Sequence, residues 1–318
     1  MKRLLLGLIA VLALAASALA DNYPSRPIRL VVGYTPGGGN DLIARIVAAK
    51  LQERLGQPVV VDNKPGAQSI VAAELVAKAP ADGYTLLVAP SGPMTINPAV
   101  YATLGYSPQR DFTPISLLAE FPLLLAVGAE QPAKSVRELV EYGRGHPNLA
   151  NYASSATPFQ LASELFNQRT GSKFQHIPYR GSGDAVQAVA SGQVLMTIAD
   201  SGPMSGPIKA GKLRALALTA AQRSADFPDV PTFAEAGVPD MEISLWTGIV
   251  APMHTPAEVV ELLQRAIHEV LAQADVQSAL AAIAVTARST TPEAYRELIA
   301  RDTERWKAVA AAANIKLE

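Results

Sequence analysis

Two hydrophobic periods alternate along the chain. The apolar run Ile28–Val32 breaks into Tyr34-Thr35-Pro36-Gly37-Gly38-Gly39-Asn40-Asp41, and apolar residues then recur at Ile43, Ile46, Val47, Leu51 and Leu55. A continuous run followed by helical spacing predicts a buried strand, a glycine turn and a helix. Asn40 is the expected N-cap, and Gly56 with Pro58 closes the helix. Val59-Val60-Val61 predicts the next strand, and Asn63-Lys64-Pro65-Gly66 a turn. A helix from about Gln68 is expected to carry Val71, Leu75, Val76 and Ala79 inward, before Asp82-Gly83 turns into a strand over 84–89. Strand, small-residue loop and helix in alternation define an α/β chain with mostly parallel sheets.

The device recurs after residue 120. A strand over 121–127 precedes a capping box, Ser135-Val136-Arg137-Glu138, and a strand over 149–153 ends in Ser154-Ser155-Ala156. Thr157-Pro158-Phe159-Gln160 then predicts a helix start, with Thr157 as N-cap and Gln160 as its reciprocal partner. A strand over 174–177 leads through Pro178-Tyr179-Arg180-Gly181-Ser182-Gly183 to a helix over 184–191, and a strand over 193–199 ends at Asp200-Ser201. Another strand covers 213–219, and a short helix is expected at 233–236 within an otherwise weakly patterned stretch. From Leu245 the pattern reads as a strand, a helix opened by Thr255-Pro256-Ala257-Glu258, and a last helix from Thr291-Pro292 carrying Tyr295, Ile299, Trp306 and Val309. This tail has no new glycine loop, so it is expected to return to the first domain. The division is 21–120 with 244–318 as one lobe and 121–243 as the other, crossed near Glu120 and Ser244. Two crossings permit hinge closure over a ligand.

The N-terminus adds an address. Lys2 and Arg3 precede an apolar run over 4–16 and then Ser17-Ala18-Leu19-Ala20, the pattern of a secretory signal peptide cleaved after Ala20. Residues 1–20 are set aside on that ground, and the exported product is expected to be a soluble monomer. Of 27 basic and 28 acidic residues, the mature chain keeps 25 and 28, which offers no basic stripe for nucleic acid. The chain has no cysteine, and His146, His176, His254 and His268 are scattered, so no metal site is expected and each histidine reads as surface or structural.

Candidate chemistry follows from the loops. A helix that starts in a glycine or serine turn points unpaired N–H groups at an anion. Gly37, Gly38, Gly39 and Asn40, after Tyr34 and Thr35, supply one such terminus. Ser154, Ser155, Ala156 and Thr157 supply another, with Phe159 offering an apolar face and Gln160 a polar reach. Ser91 and Ser201 offer hydroxyls, Tyr179 a phenol, and Arg180 a guanidinium that competes with an ion pair to Asp184. Asp41 and Asp200 sit at the same sites, Asp41 reading as structural because acids in a first helical turn are favoured by the dipole. No cofactor is expected: Leu42 stands where a dinucleotide fingerprint needs glycine, and no Gly-Lys-Ser/Thr loop occurs. A hydrolase using Ser154, Ser155 or Ser201 lacks a Gly-x-Ser-x-Gly elbow and evident His and Asp partners.

Several of these segments together resemble the solute-binding receptors of tripartite tricarboxylate transporters, the Bordetella uptake gene family. They include Pro36-Gly37-Gly38-Gly39 with Asp41, Asn63-Lys64-Pro65-Gly66-Ala67, Ala81-Asp82-Gly83-Tyr84-Thr85-Leu86, Tyr152-Ala153-Ser154-Ser155, Pro178-Tyr179-Arg180-Gly181 and Ala210-Gly211-Lys212-Leu213-Arg214-Ala215-Leu216. The resemblance implies a two-lobed type II periplasmic-binding-protein fold without catalysis. It further implies a small carboxylate in the cleft and membrane transporter subunits as partners, a sensor kinase being the alternative partner. The chain departs from this family at Gln68-Ser69-Ile70, where relatives carry glycine and asparagine, and at Thr157-Pro158-Phe159-Gln160, where they carry a Gly/Ser-rich run ending in His-Leu. The second departure is expected to favour a carboxylate with an apolar or aromatic body.

Overall fold

The computed structural model describes residues 23–317 apart from 180, 225 and 284, so the expected signal peptide and Arg180 lie outside the described residues. Ten strands form one curled mixed sheet: β1 (Ile28–Val32), β2 (Val59–Asn63), β3 (Thr85–Pro90), β4 (Phe112–Gly128), β5 (Asn151–Ser154), β6 (Gln175–Pro178), β7 (Met196–Asp200), β8 (Leu213–Leu218), β9 (Ser244–Pro252) and β10 (Thr286–Ala287). The longer helices are α1 (Gly39–Leu55), α2 (Ile70–Ala77), α3 (Val136–Gly145), α4 (Thr157–Thr170), α5 (Ser182–Ala190), α6 (Ser201–Lys209), α7 (Ala257–Leu271), α8 (Ala274–Ala282) and α9 (Pro292–Ala312).

The seventeen-residue β4 belongs to both halves of the sheet. Its first part pairs with β9, and β9 joins it to the parallel set β3, β1, β2. Its last part pairs with β7 and β8, and β7 joins it to β5 and β6. Alternation decides which face each side chain covers. In β1, Leu30 and Val32 join the core under α1 and α7, whereas Val31 joins the core under α2 and α9. α9 spans both halves, Tyr295 and Ile299 packing in the first and Trp306 and Val309 in the core of the second.

Local chemistry departs from expectation at several ends. Gly38, with extended φ −74 and ψ 162, caps α1 in place of Asn40, whose side chain is engaged elsewhere. Ala156 (φ −158, ψ 155) takes the cap of α4, because it and not Thr157 holds extended dihedrals; Thr157 is already helical and makes no capping bond. Val71 is 48% exposed, while Ala72, Ala73 and Val76 face inward, so the buried stripe of α2 is rotated by one residue. Residues 233–236 form turns and not a helix; Thr232 and Glu235 exchange reciprocal bonds there, Glu235 N–H to Thr232 Oγ1 at 3.1 Å and Thr232 N–H to Glu235 Oε2 at 2.8 Å.

Before α2, Ala67, Gln68 and Ser69 all have positive φ, at 43°, 53° and 71°. The left-handed region costs an L-residue about 1–2 kcal/mol. Gln68 is exposed and contributes only its carbonyl, which accepts from Asn97 Nδ2 at 3.0 Å. Gln68→Gly is therefore expected to stabilise the protein by about 1 kcal/mol, read as a rise in the urea midpoint. An unchanged or lower midpoint would remove strain as the explanation.

Candidate functional site

The register of β4 brings two sets of strand ends face to face. Through β9, Pro90 at the end of β3 aligns with Thr247 and so with Ala119 of β4. Asp200 at the end of β7 aligns with Leu123. β3 runs in the direction of β4 and β7 against it, so the two sets of carboxyl ends point at each other. Four residue steps of β4, from Ala119 to Leu123, separate them, about 13 Å at a strand rise near 3.3 Å. Ligands bind beyond the carboxyl ends of such strands.

On the first side, Asp41 organises the turn. It is 1% exposed; Oδ2 accepts from Gly37 N–H at 2.8 Å and Arg45 Nε at 2.9 Å, and Oδ1 accepts from Asn63 Nδ2 at 2.9 Å. The Arg45 hydrogen bond leads in holding the carboxyl down from 3.8 to about 2, with burial opposing and the Gly37 and Asn63 bonds assisting. Asn63 Nδ2 also reaches the Tyr34 carbonyl at 3.0 Å. The Tyr34 phenol sits beside Gly92, 3.1 Å from where a Cβ would stand, and burial raises its pKa. Thr35, Gly37 and Gly39 are exposed and Gly38 half-buried, which leaves the start of α1 open. Asn40 Oδ1 accepts from Thr247 Oγ1 at 2.6 Å and ties that first turn to β9. Ser91 is buried, and its carbonyl accepts from Thr95 Oγ1 at 2.8 Å.

On the second side three helices begin, after Ala156, Gly181 and Asp200. Ser155 Oγ lies 2.9 Å from Ser182 Oγ, which donates to Asp200 Oδ1 at 3.4 Å. Burial raises the pKa of Asp200. Ser201 opens α6 directly behind it. The Ala156 carbonyl accepts from the N–H groups of Phe159 and Gln160, both at 3.1 Å. Phe159 is 8% exposed and packed in the core of the second half, so its ring is not the open apolar face expected of it. Tyr179 is half-buried against that core, and its N–H donates to the Ser154 carbonyl at 2.8 Å.

Ser154 has a partner that spacing did not reveal. Its Oγ lies 2.8 Å from Nε2 of His176, one strand away in β6. The imidazole stacks on Tyr152 (5.2 Å, 25°), and Tyr152 donates to Glu164 Oε1 at 2.6 Å. A serine beside a histidine is half of a hydrolytic triad, but the carboxylate that would orient the ring is taken: Glu164 accepts from Tyr152 and from Asn167 Nδ2 at 3.2 Å. Among the described residues no cluster of metal-ligating side chains occurs. A concavity of about 340 Å³ between α4 and the end of α9 lies behind this network and not at the strand ends.

Two lobes joined through a shared strand, with helix N-termini at facing strand ends, define the periplasmic-binding-protein class. The sequence model described as the tripartite tricarboxylate transporter family receptor matches residues 43–315. The chain belongs to that family. It is 38% identical over 313 residues to protein BugT of Bordetella pertussis, covering 98% of this chain and 96% of the relative. Among solved structures, Rpa4515 of R. palustris with adipate is 37% identical, covers 92% of this chain and 99% of its own, and superposes with a TM-score of 0.80. MatC from Rhodopseudomonas palustris with bound malate is 32% identical, covers 90% and 99%, and has a TM-score of 0.75.

Proposed function

We propose that this chain is a periplasmic receptor that captures a small organic mono- or dicarboxylate between its lobes and delivers it to a tripartite transporter. The observation that carries the reading is the opposition of helix N-termini across residues 119–123 of β4. Each exposed terminus contributes about 0.3–1 kcal/mol toward an anion, and more when closure excludes water. α1 offers its first N–H groups on a turn held rigid by Asp41, and α4 and α5 offer theirs beside the Ser155 and Ser182 hydroxyls. The lobes divide, on this reading, at 120/121 and near Ser244, where β4 and β9 run side by side and flexing of the pair would close the cleft. Adipate and malate in related structures support the ligand class.

The test is a thermal-shift panel of adipate, malate, citrate and aromatic acids on the mature protein, with a sugar and a metal salt as controls. Ligand at about a hundred times its dissociation constant adds about 2.7 kcal/mol of stability. Shifts confined to the sugar or the metal would sink the proposal.

A further inference from the structure

We infer that His176 is a positioning residue for the carboxylate site: by donating from Nε2 it leaves the single hydroxyl proton of Ser154 free for the ligand. The inference rests on the receptor reading above, in which the end of β5 faces the bound acid.

A serine hydroxyl carries one proton and two lone pairs. At 2.8 Å from Nε2, Ser154 either donates to a bare ring nitrogen or accepts from an Nε2–H. In the first arrangement its proton is spent on the ring, and only lone pairs face the cleft, which repel a carboxylate. In the second the proton is available, and a charge-assisted bond to the acid becomes possible. The ring is held for this task. Tyr152 and His176 are register partners on adjacent parallel strands, their rings stack, and the Tyr152 hydroxyl is fixed by Glu164 on α4. Ser154 is two residues after Tyr152 on β5 and so shares its face, 4% exposed.

The same arrangement couples binding to protons. Among the described residues, the ionisable groups packed around the imidazole are Tyr152 on β5 and Glu164 on α4; β6 is the last strand of its side of the sheet. Burial lowers the pKa of His176, and the Glu164 charge opposes that in part. A carboxylate in the cleft adds a second negative charge, raises the ring's pKa and makes binding take up a proton. A group whose pKa rises on binding strengthens the complex as pH falls toward the free protein's value, which burial sets below the ordinary 6.5 of histidine. At low pH the imidazolium can only donate, so the Ser154 proton is released to the ligand.

The experiment is calorimetry of adipate and of malate between pH 5.5 and 7.5. For the wild type, affinity for whichever acid binds is expected to rise about tenfold across that range as pH falls. His176→Phe keeps the stack on Tyr152 but not the donor, and should lose about tenfold at low pH together with the pH dependence. His176→Gln, whose amide N–H can replace Nε2–H, should recover the affinity with a flat profile, whereas a structural role would not distinguish the two. Ser154→Ala should match His176→Phe, and the double variant should fall no further. A flat wild-type profile, or His176→Phe binding as the wild type does, overturns the inference and leaves the receptor reading standing. If the wild type binds neither acid nor any other carboxylate, both fall. The wild-type profile and the ¹⁵N shifts of its imidazole, which report a proton on Nε2 in the complex, need no variant to fold.

Discussion

Asp41→Ala is expected to lower stability by about 3 kcal/mol at neutral pH and to weaken carboxylate binding by about a hundredfold. The side chain joins the turn before α1, α1 itself and the end of β2 through Gly37, Arg45 and Asn63. Alanine leaves the Gly37 N–H and the Asn63 amide without their acceptor, and a hydrogen bond to a charged group contributes about 1.5–3 kcal/mol. Arg45 is half exposed and re-solvates, so its share is small. Affinity falls although Asp41 itself need not touch the ligand, because a loose turn must be ordered each time the ligand binds. The pH limb gives an independent reading. A carboxyl lowered from 3.8 to about 2 contributes stability that is complete above pH 5 or so and is lost as pH falls toward about 2. That contribution is at most about 2 kcal/mol, and less once the half-exposed Arg45 is discounted for screening by water. Urea unfolding at pH 7 and pH 3 should show the wild type losing about half of this increment, while Asp41→Asn, already without it, changes less. Equal acid sensitivity in the two proteins would deny Asp41 its role.

Trp246→Ala is expected to cost more, about 5 kcal/mol, and to leave little folded protein at 37 °C. The indole is 1% exposed on β9, opposite Glu120 where β4 passes from one half to the other. Its Nε1 donates to Asp302 Oδ2 at 2.9 Å, and its ring meets Tyr295 edge-on at 5.3 Å, so it fastens β9 to α9. Truncating a buried Trp costs about 3–5 kcal/mol, and the buried Asp302 loses a donor besides. Trp246→Phe keeps the packing and should cost about 2 kcal/mol. Combining Trp246→Ala with Asp302→Ala should cost less than the sum of the two single changes, since the orphaned carboxylate is gone. Additive losses in the melting curves would mean that the indole and the carboxylate act separately.

Strands, helices and their order were legible because each carries its own period: Ile28–Val32 is a buried parallel strand and reads as one. The glycine turn before α1 was equally plain. Cap identity was not, since Asn40 and Thr157 are good capping residues by type, while Gly38 and Ala156 hold the cap by backbone angle. The side to which Phe159 turns is not legible for a related reason: a helix start says where the backbone lies and leaves open which side of it faces the core. His176 was hidden by distance in sequence. It is 22 residues from Ser154, and only the pairing of β5 with β6 puts them on one face. Asp41 reads as structural from its place in the first helical turn, but its partners do not: Arg45 lies four residues on along α1, and Asn63 comes from a neighbouring strand.

The stretch of β4 between Ala119 and Leu123 acts as a ruler. It sets the gap between the facing helix starts in whole residues, and a strand is not continuously adjustable. One inserted residue would turn every following side chain of β4 to the opposite face and expose a core built on alternation. Two would keep the faces but widen the gap by nearly 7 Å. The spacing between the facing strand ends is therefore set in steps by the strand itself. The segments that follow the strands are not gauged in this way, and among them are 68–70 before α2 and 157–160 at the start of α4.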